Sequence, residues 1–277
     1  MKLMLLITVI FLSLSVNANT PNARFLLATF NTRTALPEQI AAAKTLLQYS
    51  GETLVQRQLI NLLQTTATPV ALKVAAVESL CFQAINSNTS RELLRAYGVE
   101  RDLQLKVAIV KSLFLATNQN RDVRNFVTRV LQNEEETALS EAAIFALAST
   151  SGDQQVARLL TNIMTDSRSD EVVRVAAIKA LFWQRNMELQ RELIRLTQNV
   201  REVTSVRVAG LQLLRVVWGA SNAKDNFFID LAENDASVDV RLAALDALRP
   251  QFEERDIRWF KLYRNPATGA LRNPLED

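Results

Sequence analysis

The chain has 277 residues, 48% of them apolar, and its 32 basic side chains nearly balance 29 acidic ones, for a formal charge of +3. That balance excludes the composition of a polyanion-binding domain. There is no histidine, which removes Ser-His-Asp and Cys-His nucleophile systems, histidine general acids and most transition-metal sites.

Residues 1–18 combine a positive Lys2, an apolar run from Leu3 to Leu14 and the small-residue end Val16-Asn17-Ala18, the pattern of an export signal cleaved after Ala18. The run is short for a membrane span and turns polar at once. The mature protein is therefore expected to be soluble and exported, to a bacterial periplasm or as a secreted protein. Export usually brings disulfides, but the single Cys81 cannot bridge within its own chain. Following Leu80 directly, it reads as a small hydrophobe.

In residues 19–66, helices are expected at Pro37–Tyr49 and Glu52–Gln64, parted by Gly51. They are read as not keeping the alanine and leucine register that follows, and so as an atypical N-terminal cap.

From residue 67 to 250 a register returns every 33 or 34 residues, anchored at Lys73, Lys106, Ser140, Arg174, Arg207 and Arg241. Two places after each anchor stands an alanine: Ala75, Ala108, Ala142, Ala176, Ala209 and Ala243. Seven places after stands a leucine: Leu80, Leu113, Leu147, Leu181, Leu214 and Leu248. With apolar residues also one before and three and four after, this is helical spacing with a wide apolar arc, so these inner helices are covered on several sides. Between them lie helices with a narrower stripe, as in Val123, Phe126, Val127, Val130 and Leu131. The joints are punctuated by Thr68 before Pro69, by Gly152 and Asp153, and by Gly219 and Ser221. Asn86–Ser90 is a polar interruption and the segment that best reads as a long loop, with an Asn88-Thr89-Ser90 glycosylation pattern. In residues 251–277, Gln251–Tyr263 is expected to be a closing helix and Arg264–Asp277 a loose tail. No segment reads as a strand.

The stretches Glu171-Val172-Val173-Arg174-Val175-Ala176-Ala177-Ile178-Lys179-Ala180-Leu181 and Val238-Asp239-Val240-Arg241-Leu242-Ala243-Ala244-Leu245-Asp246-Ala247-Leu248 resemble the HEAT-like repeat family, including its short repeats of phycobilisome-lyase type. The resemblance covers residues 68–249 and departs at Ser140 and Glu141, where a basic and an apolar residue are expected. It implies an all-α, right-handed, armadillo-like solenoid of about seven antiparallel helix pairs, with inner helices lining a concave surface. On activity it says almost nothing, since such folds serve many kinds of binding.

The anchors recur along the stack at about the 8–10 Å spacing of packed helices. A basic row suits an anionic ligand, but each stem lies among apolar positions, so the heads are expected to meet acidic or carbonyl groups near Asp170 or Asp235. Five places after each anchor come Glu78, Lys111, Phe145, Lys179, Gln212 and Asp246, pointing away from the apolar arc. Lys111, Phe145 and Lys179 form the candidate contact patch, the alternative being a mixed surface with one exposed aromatic. A second cluster, Phe114, Phe182, Trp183, Arg185, Arg215 and Trp218, has hot-spot composition but equally suits packing between helix layers. The last helix offers Phe252, Trp259, Phe260 and Tyr263 beside Arg255, Arg258 and Lys261, which suits a terminal cap more simply than a membrane surface. The carboxylates Glu134-Glu135-Glu136 and Asp166, Asp170 and Glu171 stand where inner helices begin, where the helix dipole favours negative charge. They show no calcium-loop spacing.

These observations lead to an exported, non-catalytic scaffold binding a protein partner through its inner helices, with no cofactor, metal or nucleic acid. The alternative is a solenoid carrier, or an enzyme, acting on an anionic small molecule, glycan or lipid.

Overall fold

The computed structural model describes residues 21–31, 33–184, 186–219 and 221–248. The export signal, Arg185, the closing helix and the tail lie outside the described residues. All regular structure among the described residues is helical. The elements are α1 (Pro21–Ala28), α2 (Leu36–Thr45), α3 (Thr53–Gln64), α4 (Val70–Leu80), α5 (Ser87–Val99), α6 (Leu103–Ser112), α7 (Phe114–Gln119) and α8 (Arg121–Asn133). They continue with α9 (Thr137–Leu147), α10 (Gln154–Thr165), α11 (Glu171–Ala180), α12 (Met187–Gln198), α13 (Thr204–Val217), α14 (Asn222–Asn234) and α15 (Val238–Leu248). Contacts divide the chain into two compact units, Met1–Val217 and Trp218–Asp277, which are described separately.

In the first unit α2, α4, α6, α9, α11 and α13 pack one against the next in that order and form the inner row. The outer helices α3, α5, α8, α10 and α12 each return through a short connection onto α4, α6, α9, α11 and α13, so each pair is an antiparallel hairpin. The register explains the core. Leu80, Leu113, Leu147, Leu181 and Leu214 have no accessible surface, and burying each stabilises the stack by about 1.5–3 kcal/mol. Three places after the anchors, Ala76, Ala143 and Ala177 are equally buried. Their small side chains let the helices approach closely. At the matching position of α13, a Cβ on Gly210 would stand 2.9 Å from Thr197 Cγ2 and 3.1 Å from Leu196 Cδ2, so only glycine fits there without a shift of α12.

The register reaches one copy further back than the sequence analysis placed it. Gln39, 34 residues before Lys73, is followed by Ala41 two places on and Leu46 seven places on. Ala43 and Leu46 are fully buried, and α2 packs on α4 like any other inner helix.

Two further expectations are corrected. Asn86–Ser90 is no long loop: Asn86 is the N-cap of α5, and Thr89 and Ser90 are buried in its first turns. Ser, Thr and Asn favour helix starts for the same reason that they favour turns, because their side chains bond local backbone. At Thr68-Pro69, Pro69 itself is the N-cap and α4 begins at Val70. Elsewhere the punctuation holds, with Asp153 accepting backbone N–H groups at the start of α10 and Ser221 at the start of α14; Asn120 and Asn186, not foreseen, cap α8 and α12 in the same way.

In the second unit α14 packs on α15 around the fully buried Phe228, and Ser221 caps α14 through Lys224 N. Leu245, four places after Arg241, is 52% exposed, although this position is buried in the five copies before it.

The open face of the inner row

The basic anchors are structural. Arg174 is buried and donates from Nε to the Met164 carbonyl at 3.0 Å and from its two terminal nitrogens to Glu202 at 2.8 and 2.6 Å. Lys73 pairs with Glu100 at 3.6 Å and Lys106 with Glu134 at 3.8 Å. In each case the carboxylate stands 27 or 28 residues after the cation, in the loop that ends the following outer helix. Arg207 Nε repeats the Arg174 contact on the Thr197 carbonyl at 2.9 Å, and Arg241 donates to the Asp235 carbonyl at 2.7 Å. These bonds satisfy carbonyls that a helix end leaves open. The expected partner near Arg174, Asp170, instead caps α11 through Val172 N; a cap one turn from the guanidinium competes with the better bidentate geometry of Glu202.

Two copies lack the rung on both sides. Gln39 is followed 27 and 28 residues later by Thr66 and Ala67. In the copy that lies inside the row, Ser140 replaces the cation, and Arg168, 28 residues later, replaces the carboxylate.

The rungs tune their acids. The Arg174 hydrogen bond, followed by the Val203 amide, holds Glu202 below the usual carboxylate range, against the cost of burial. Glu100 is lowered first by the Asp102 amide and only in lesser part by Lys73. Tyr97 donates to Glu134 at 2.8 Å, with Lys106 Nζ 4.8 Å from its ring centroid, and burial, then this carboxylate, raises its phenol far above the ordinary value. Burial also raises the Cys81 thiol, as befits a side chain used as a small hydrophobe.

The residues five places after the anchors lie on the open face: Glu78, Lys111, Phe145, Lys179 and Gln212 are exposed. Lys44 of α2 continues the row and pairs with Glu78 at 3.9 Å. Lys111 on α6, Phe145 on α9 and Lys179 on α11 line one hollow of about 320 Å³, together with Glu141, Ile144, Ala148, Ala176 and Ala180. Phe145 is 48% exposed and stacks on Phe114, with ring centroids 5.1 Å apart. The alanines of α11 leave the depression, and Phe145, backed by Phe114, walls it. Neither Lys111 nor Lys179 has an ion pair or hydrogen bond from its ammonium group among the described residues. Both surround the hollow with free positive charge, opposed by Glu141.

Of the second cluster, Arg185 lies outside the described residues, and the others are placed separately. Phe114 belongs to the stack with Phe145. Phe182 is 40% exposed on the 3-10 turn Leu181–Trp183, and Arg215 is half-buried in the last turn of α13. Trp218 belongs to the second unit, where its ring packs on Phe227 and Phe228 at 5.4 and 6.4 Å. Sequence reasoning missed Glu141, Ile144, Ala148, Ala176 and Ala180 as lining residues; the break in the pattern at Ser140-Glu141 was the available signal. Among the described residues no group of three or more Cys, Asp or Glu side chains is placed to hold a metal ion.

The fold and this face define an all-α helical-repeat protein with a cationic, aromatic-walled hollow on its inner helices. Among the solved structures that the chain resembles is the complex of CpcE and CpcF of phycocyanin lyase from Nostoc sp. PCC7120, at 17% identity and a TM-score of 0.47, over 90% of this chain and 96% of that one. No family model and no curated protein matches the sequence. No helix among the described residues is long and apolar enough to cross a membrane.

Proposed function

We propose that the chain is an exported, non-catalytic scaffold of the HEAT-like kind, and that the open face of its inner helices binds a protein partner. The observation that carries this reading is the convergence of Lys111, Phe145 and Lys179 on one hollow. A half-exposed aromatic between two unpaired cations is costly to leave on a surface and has the composition of a binding hot spot. The rigid stack beneath holds the contacts in place, so that little ordering entropy is lost on binding. Export is supported by Lys2, the Leu3–Leu14 run and Ala18; a non-catalytic role is supported by the absence of histidine.

The test is crosslinking pull-down from the native envelope with wild type and a Lys111→Glu, Phe145→Glu, Lys179→Glu variant that shows the same helical signal and melting. A specific protein recovered by wild type and lost by the variant is the expected result. Equal recovery by both removes the hollow as the site. Amino-terminal sequencing of the recovered chain checks export, with Asn19 the expected first residue.

The hollow also favours a second reading, a carrier of an anionic amphiphile, because its walls are apolar and its rim cationic. A rise in melting temperature with such a compound, and no captured protein, would select it.

A further inference from the structure

We infer that the occupant of the hollow is an extended peptide segment in the polyproline II conformation, with an apolar residue flanked at three positions on either side by acidic ones. The inference rests on the protein-binding reading above and names the partner's chemistry.

The first argument is spacing. Lys111, Phe145 and Lys179 hold the same register position on three successive inner helices, and packed helices stand about 8–10 Å apart. A polyproline II segment has three residues per turn and a rise of about 3.1 Å, so every third side chain points the same way at steps of about 9 Å. Its residues i, i+3 and i+6 therefore meet the three helices in turn. A β-strand repeats its face at about 6.6–6.8 Å, and falls out of step across the row. An α-helix returns to one face every three to four residues, about 5.4 Å, and after two turns, seven residues, at roughly 10.5 Å, just beyond the spacing.

The second argument is charge. The row satisfies itself at its beginning, where Lys44 meets Glu78, and leaves Lys111 and Lys179 unpaired among the described residues. The occupant supplies a carboxylate to each. Between them Phe145, Ile144, Ala148, Ala176 and Ala180 offer an apolar socket, while Glu141 at the same hollow repels a third acid. The central residue is therefore apolar.

The test uses the full-length chain and fluorescein-labelled peptides read by anisotropy at low ionic strength. The parent peptide carries Glu, Leu and Glu at positions 1, 4 and 7 of a proline-rich frame. Comparison peptides place the same residues four or seven apart, replace both Glu by Lys, or replace Leu by Glu. The parent is expected to bind saturably. Each comparison peptide, and each of Lys111→Gln and Lys179→Gln, should weaken binding about tenfold or more, with unchanged helical signal. Glu141→Gln should restore part of the loss caused by a central Glu.

Tighter binding of the seven-residue spacing would replace the extended segment by a helix; it would overturn the inference and leave the protein-binding reading intact. Equal binding of the Lys-flanked peptide would overturn the charge argument. No binding by any peptide would also overturn the inference, and the pull-down would then judge the wider reading alone.

Discussion

Arg174 and Glu202 face each other across successive repeats in a two-pronged ion pair, 2.8 and 2.6 Å long, with side chains only 3% and 9% exposed. Two charges that deep cost several kcal/mol each in desolvation, and only this geometry, with the Met164 carbonyl as a third acceptor, offsets it. Removing one partner leaves the other buried and charged. Arg174→Ala or Glu202→Ala should therefore destabilise the chain by about 3–5 kcal/mol in denaturant unfolding. Arg174→Lys should rescue only part, because an ammonium cannot fork. A loss below about 1 kcal/mol in either alanine variant would show the pair to be ornamental.

Acid should loosen the stack. Glu202 and Glu100 both have folded-state pKa values below the ordinary one. The stability they contribute is present above the unfolded value of about 4.3 and is lost as pH falls through the folded values. Unfolding free energy measured from pH 7 to pH 3 should decline, and Glu202→Gln should flatten the decline. Glu52 runs the other way: burial raises its carboxyl, so acid relieves it while opposing the others. An unchanged slope in Glu202→Gln would refute the assignment.

Two glycines in helices should respond with opposite sign. Gly210→Ala forces a methyl to 2.9 Å from Thr197 and 3.1 Å from Leu196, and should cost about 1–3 kcal/mol. Around Gly98 in α5 nothing lies within 4 Å of an added Cβ. There Gly98→Ala gains helix propensity, about 0.5–1 kcal/mol at most. Thermal melts of the two variants give the comparison directly.

The rung missing at Ser140 can be built. Ser140→Lys alone places a cation in a position only 8% exposed and should destabilise, whereas Ser140→Lys with Arg168→Glu recreates the pairing of its neighbours. A double-mutant cycle should give a favourable coupling of about 0.5–1 kcal/mol. Zero coupling would mean that the loop at Arg168 cannot reach α9.

The inner helices were legible in the sequence because their demand is local and repeated: alanine where helices touch, leucine where they leave space. The exposure of Lys111, Phe145 and Lys179 followed from the same periodicity. What lay hidden depends on neighbours far along the chain. Glu100, Glu134 and Glu202 sit in loops, where acids are unremarkable, and only their offset from Lys73, Lys106 and Arg174 marks them as partners. The copy at Gln39 was legible in Ala41 and Leu46, which stand in register in the sequence itself. The hollow itself is a difference in size between Phe145 and the alanines opposite, visible only once α9 and α11 are side by side.

The unpaired Ser140 and Arg168 fall between α9 and α11, where the hollow also lies. Lys111, Phe145 and Lys179 reach across that same seam. In an array whose units hold only their neighbours, an occupant spanning α6, α9 and α11 would serve as a removable bolt at a joint the charges leave unfastened. Amide hydrogen exchange along this seam would then slow when the partner arrives, and the repeats on either side would open together rather than separately.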